Sequence, residues 1–157
     1  MGPKINQIVA YWHARCRGGR LPARADINPC ELKPLLPNMF LIGCPSRDDA
    51  DWVYRLIGTE IVEREGFDKT GKPVRDYYTG AAWPALRAEY LKCIEERRPV
   101  YLTDTAYHRL MRDSFDFERI FLPLASDGRT VDMIVGVVSF LPAGAFDRYL
   151  GTRAAAE

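Results

Sequence analysis

The stretch Phe115-Asp-Phe-Glu-Arg-Ile-Phe-Leu-Pro-Leu124, carried through Ser126-Asp-Gly-Arg129 into Val131-Asp-Met-Ile-Val-Gly-Val-Val-Ser-Phe-Leu141, decides how this chain folds. Two apolar-rich runs flank Asp127-Gly128, a pair that tolerates the positive φ of a tight reversal. The reading is an antiparallel hairpin with strands over 115–124 and 131–141. Immediately upstream, 100–107 has the same strand character and supplies a third member of the sheet. Before it, Trp83, Leu86, Tyr90, Leu91 and Ile94 recur at helical spacing. With Pro84 near its start and Pro99 beyond its end, this is the longest central helix.

Further upstream, Met39-Phe-Leu-Ile-Gly-Cys44 and Trp52-Val-Tyr-Arg-Leu-Ile57 form a second hairpin across the polar segment 45–51. Thr59 opens a helical turn that Gly66 closes, and Lys69-Thr-Gly-Lys-Pro73 makes a further turn. Asn28 caps a short helix with Pro29 at its first position and Glu31 three residues on, stapled by Ile27 and Leu32 and stopped by Pro37. At the start, Ile5, Ile8, Val9, Trp12 and Cys16 give an amphipathic helix that ends at Gly18-Gly19. The fold class is therefore α+β: a five-stranded antiparallel sheet with helices on one face and an N-terminal amphipathic helix. The expected organisation is a helix and hinge over 1–20, the main domain over 21–148 and a polar tail over 149–157.

Composition narrows the functional classes. At 157 residues, with 47% hydrophobic and 27% charged residues, the chain has the makeup of one ordinary folded domain. The 22 Lys and Arg nearly cancel the 21 Asp and Glu, so no strong field exists to hold nucleic acid or an anionic bilayer. Cys16, Cys30, Cys44 and Cys93 form no metal-ligand or redox spacing and suit a reducing compartment. With no secretory leader and no apolar run of membrane length, the expected location is cytoplasmic.

Several strings carry a family resemblance: Leu21-Pro-Ala-Arg-Ala-Asp-Ile-Asn-Pro29, Tyr54-Arg-Leu-Ile-Gly-Thr59, Gly66 with Thr70-Gly71, and Leu122-Pro-Leu-Ala-Ser-Asp-Gly128. In this order and spacing, over residues 5 to 142, the chain resembles the short, stand-alone bacterial PAS-like proteins. The resemblance implies a PAS fold, dimerisation and a sensory or regulatory role, with no assigned ligand or cofactor. A flavin-adduct photosensor of that superfamily would need its cysteine in a particular central-helix string, whereas Cys93 lies in Leu91-Lys-Cys-Ile-Glu95. A haem-binding relative would need an axial ligand on the central helix, whereas His13 and His108 lie elsewhere.

The expected ligand-binding residues are Tyr54, Arg55, Ile57, Trp83, Tyr90, Arg119 and Ser139, gathered between the central helix and the sheet. Arg55 and Arg119 interrupt apolar strands, and a charge there grips an anionic ligand, or else lies on a solvent-facing side of the sheet or pairs with a carboxylate such as Glu118 or Asp104. Alternation places Arg119 with Phe115, Phe117 and Phe121, and Arg55 with Val53 and Ile57. Met39, Met111, Met133, Trp52 and Trp83 read as core. The R-x-x-x-R pair Arg20 and Arg24 has the spacing of a cyclic dinucleotide clasp without its partner string, and a solvated loop is the plainer reading; the resemblance implies that Arg24 and Asp26 belong to a recurring loop string, fixed by a bridge between them. His13 and His108 are too far apart for joint catalysis, no serine or cysteine sits in a nucleophile string, and Asp104, Asp113 and Asp116 read as solvated turns, so no enzyme is expected.

The function expected is thus a sensory or regulatory domain that binds an unidentified small molecule and signals through a protein partner. The alternative is a ligand-free dimerisation and docking module. The first helix either forms a homodimer interface or folds back on its own sheet.

Overall fold

The computed structural model describes residues 1–108 and 113–146. The readings of Met111 and of the tail 149–157, and those of the His108 and Asp113 side chains, lie outside what is described. The elements run α1 (Pro3–His13), β1 (Met39–Gly43), β2 (Val53–Ile57), α2 (Thr59–Glu65), α3 (Ala82–Glu96), β3 (Val100–His108), β4 (Asp113–Leu124) and β5 (Met133–Pro142), with short 3-10 turns between them. The five strands form one antiparallel sheet in the order β2-β1-β5-β4-β3.

The deciding hairpin closes as its sequence demands. Gly128 takes φ +75°, and its N–H donates to the Ala125 carbonyl at 2.9 Å. Leu124 then pairs with Met133, and the ladder runs out to Phe115 opposite Pro142. This register brings Phe117, Arg119 and Phe121 beside Phe140, Val138 and Gly136 on one face of the sheet. Glu118, Ile120 and Leu122 stand beside Ser139, Val137 and Val135 on the other.

Both faces of β4 and β5 are therefore apolar, and each needs a cover. On the first face α3 lies over β4, with the rings of Tyr90 and Phe121 stacked 4.4 Å apart. On the second lies α1, which packs on β4 and β5 and buries Ile5, Ile8 and Trp12. Trp12 Nε1 donates to the Pro123 carbonyl at 2.9 Å. The buried carboxylate of Glu118 accepts from the Gly2 N–H at 2.7 Å and from the Tyr101 hydroxyl at 2.8 Å, which ties down the helix start. Of the two destinations open to the apolar stripe, the chain uses its own sheet. The one-sided helical cover expected from sequence thus describes α2 and α3, while α1 closes the opposite face.

Two local readings change. The segment expected to form a capped second helix is a 3-10 turn, Pro29–Leu32, in which the Asn28 side chain accepts from the Cys30 N–H. The expected Arg24–Asp26 bridge is replaced by local contacts: Asp26 accepts from the Ala23 N–H at 2.8 Å, and Arg24 donates to the Ile27 carbonyl at 3.0 Å. Arg20 likewise donates to the Asp127 carbonyl, so both arginines of the R-x-x-x-R pair hold backbone oxygens of this chain.

Candidate functional site

A cavity of about 640 Å³ opens between the first face of the sheet and the helical segment that joins β2 to α3. The strands contribute Phe40, Tyr54, Ile57, Phe117, Arg119, Val138 and Phe140. Helix α2 contributes Ile61, Arg64 and Glu65, the following loop contributes Phe67, Lys69, Tyr77 and Tyr78, and α3 contributes Tyr90. Helix α2 is brought here by Gly58, whose missing Cβ lets the chain pass against the carbonyls of Leu36 and Pro37, and it ends at Gly66 with φ +85°.

Three cations reach this wall in different states. Lys69 is 95% shielded from solvent, although a lone ammonium is costly to bury. It is held by Glu65 one helical turn earlier at 2.5 Å and is ringed by Tyr77, Phe67, Tyr78 and Tyr54, with centroids 5.0 to 5.8 Å from Nζ. Ion pair and ring faces together offset the lost hydration. Arg64 lies over Phe140 and Phe115 at 5.3 and 5.7 Å, with no ion pair among the described residues. Arg119 is packed between the rings of Phe117 and Phe121, and its Nε is closed off from water without a hydrogen-bond partner among the described residues. Such an unsatisfied donor costs about 1–3 kcal/mol.

Among the described residues, Arg119 pairs with neither of the carboxylates named as alternatives, Glu118 and Asp104. Alternation turns Glu118 to the α1 face, and Asp104 is an exposed residue whose carboxylate accepts from the Thr105 N–H. Of the seven residues proposed from sequence, Tyr54, Ile57, Tyr90 and Arg119 line the cavity. Arg55 does not, because β2 carries a bulge: Leu41 pairs with Leu56 and Ile42 with Tyr54, leaving Arg55 unopposed. The extra residue breaks the alternation that would group Arg55 with Ile57. Arg55 is exposed and crosses Gly43 on the α1 face, where an added Cβ would meet its Nε at 2.9 Å. Ser139 also faces α1, opposite Glu118. Trp83 stands outside the cavity wall, stacked on Tyr78 and edge-on to Trp52. Besides strand residues such as Phe40, Phe117 and Phe140, the residues that sequence reasoning missed lie in 61–78, where Phe67, Lys69 and Tyr77-Tyr78 were a signal of aromatic residues around a lysine inside an apparent loop.

Burial favours the neutral form of two hydroxyls at the back of the cavity, those of Tyr54 and Tyr90. Tyr54 and Tyr78 share a hydrogen bond of 3.1 Å, and burial raises the Tyr54 and Tyr90 hydroxyls well above the ordinary phenol range. Burial also pushes the Cys44 thiol up to about 12 and raises that of Cys93. These groups favour the folded state while protonated, so their contribution is complete below about pH 9 and is lost as pH rises towards 12. Each group that ionises only in the unfolded chain should lower stability by about 1.4 kcal/mol per pH unit, or roughly 3–6 °C in Tm. Thermal melts between pH 8 and 11 should therefore show a fall that steepens above pH 10. A flat Tm over that range would contradict the burial of these four groups.

A family model described as a PAS domain matches residues 2–139 of the chain. The chain belongs to the PAS domain family. Among solved structures, this PAS domain is similar to a light-oxygen-voltage domain studied with a flavin analogue. That match has a TM-score of 0.57 and 13% identity, over 82% of this chain and 94% of the other. The Rhodobacter sphaeroides LOV protein matches with a TM-score of 0.53 and 12% identity, over 83% and 77% of the two chains. A PAS domain from Colwellia psychrerythraea matches with a TM-score of 0.50 and 9% identity, over 70% and 93%. At these identities the likeness concerns the fold alone. No curated protein matches the chain. The PAS cavity described here does not fit an adduct-forming flavin, because none of its lining residues is a cysteine, and Cys93 is wholly buried in α3. No helix among the described residues is long and apolar enough to cross a membrane.

Proposed function

We propose that this PAS domain is a sensor: a small molecule occupies the cavity, and a protein partner reads the occupancy. The observation that carries the reading is an aromatic-lined space of about 640 Å³, a size typical of small-molecule sites, that contains a guanidinium with an unanswered donor. Of the residues proposed from sequence, Tyr54, Ile57, Tyr90 and Arg119 are the ones that would touch the ligand.

A route from cavity to surface is also present. Helix α2 puts Ile61, Arg64 and Glu65 into the cavity, while Glu60 in its first turn accepts from the Asn38 side chain at 2.8 Å. Lys4 of α1 donates to the same Asn38 side chain at 2.7 Å and pairs with Glu60 at 3.5 Å. A ligand that favours one placement of α2 would thereby favour one placement of the α1 start, and that difference in affinity is what a partner can read. The outer side of α1, with Asn6, Gln7 and His13 exposed, is the surface we assign to that partner. A homodimer would use surfaces other than the buried stripe of Ile5, Ile8 and Trp12.

Native mass spectrometry of the purified protein beside its denatured mass tests the reading. A retained non-covalent mass of a few hundred daltons, absent after denaturation, is the expected result. A ligand-free mass, together with no shift in Tm from fractionated metabolite extracts, would favour the docking module without a ligand.

A further inference from the structure

We infer that the cavity is made for an aromatic carboxylic acid whose carboxylate is held by Arg119 and whose flat body lies among the cavity rings. The inference rests on the small-molecule reading and specifies its ligand class. Arg119 is positioned like a binding residue rather than a structural one. It rises from the middle of β4, its flanking carboxylate Glu118 is committed to α1, and the cavity's own carboxylate, Glu65, is committed to Lys69. Among the described residues, no acceptor answers its Nε. The planar guanidinium fork matches a carboxylate in a two-point contact, and Phe117 and Phe121 pin the fork from both sides. A carboxylate at the fork would neutralise the arginine, and a turn of the side chain toward it would bring the shielded Nε into the same contact.

The rest of the wall selects the body. Nine of the seventeen lining residues are aromatic, and ring faces and edges favour a flat ring over a flexible chain, which would lose more rotational freedom. Arg64 stands over Phe115 and Phe140 without an ion pair among the described residues, which adds a second positive charge to the wall. The hydroxyls of Tyr54 and Tyr90, kept neutral by burial, can approach an anion without repulsion.

The test uses 2-naphthoate, its neutral analogue 2-naphthamide and the aliphatic acid octanoate, titrated calorimetrically into the full chain. The methyl resonances of Val138 and Ile57 report whether a bound probe sits in the cavity. Naphthoate should bind roughly tenfold to a hundredfold more tightly than naphthamide, because only the acid makes a charge-assisted contact. Octanoate should bind more weakly than naphthoate. Arg119→Met should remove the preference for the acid, weakening naphthoate far more than naphthamide, and Arg119→Lys should restore only part of it. Arg55→Gln, on the far face, should change nothing. Equal binding of acid and amide in the cavity would overturn the carboxylate assignment while leaving a small-molecule sensor in place. Octanoate matching naphthoate would overturn the aromatic part. Failure of all three probes, with a ligand-free native mass, would remove both the assignment and the sensor reading beneath it.

Discussion

Phe121→Ala should destabilise the protein by about 3–5 kcal/mol, in the range of buried Phe truncations, and lower Tm by roughly 6–20 °C. The Phe121 ring is fully buried and is the joint between sheet and helix: it stacks on Tyr90 at 4.4 Å, meets Phe40 edge-on at 5.9 Å and lies against the Arg119 guanidinium. Truncation removes the transfer free energy of the ring and leaves a void that Tyr90 on α3 and Phe40 on β1 cannot both close. Arg119 also loses one of its two ring supports, so any anion bound there should weaken together with the fold. Denaturant unfolding with an unchanged m-value would give the cost. Phe67→Ala is the comparison, since that ring is 46% exposed and its loss should cost about 1 kcal/mol or less. Equal costs for the two variants would show that the Phe121 stack does not hold α3 on the sheet.

Gly58→Ala should cost about 3 kcal/mol, the upper end of overpacking penalties, although it adds one methyl group at an ordinary φ of −69°. The added Cβ would lie 2.3 Å from the Pro37 carbonyl oxygen and 2.4 Å from that of Leu36. These are backbone atoms that no rotamer can move aside, so α2 must shift away from the turn Leu36–Asn38. The shift would pull Glu60 from Asn38 and thereby loosen the hold on Lys4. Gly71→Ala provides the contrast: nothing lies near its added Cβ, and left-handed backbone strain at φ +81° alone should cost about 1–2 kcal/mol. Melting curves of the two variants compare close approach with backbone strain. A Gly58→Ala protein as stable as its parent would mean that α2 is not anchored where the structure has it.

The parts of the fold legible in sequence were those governed by local chemistry. The Asp127-Gly128 reversal, the Gly66 helix end and the helical spacing from Trp83 to Ile94 each express a backbone preference that acts within a few residues. The strand strings were found to within a residue or two at most ends, because period-two alternation survives wherever a ladder is regular. The candidate site was legible only in half. Arg119 and Tyr90 were found because regular alternation and helical spacing put them toward each other. Arg55 and Ser139 were misplaced because a bulge shifts the phase in β2, and because one sheet face cannot be told from the other when both are covered.

By itself, then, the sequence determined the class of fold, the order of its elements and the presence of an arginine on an aromatic strand face, since each follows from short-range preference or strict periodicity. The tertiary structure alone decided that α1 folds onto its own sheet and that Glu118 serves it rather than Arg119. It alone closed the segment 59–78 over the sheet, with Lys69 inside a cage of rings. Those outcomes depend on contacts between residues tens of positions apart. Which carboxylate answers which cation is settled there by the direction each side chain faces after the sheet has formed, and residue identity along the chain does not carry that direction.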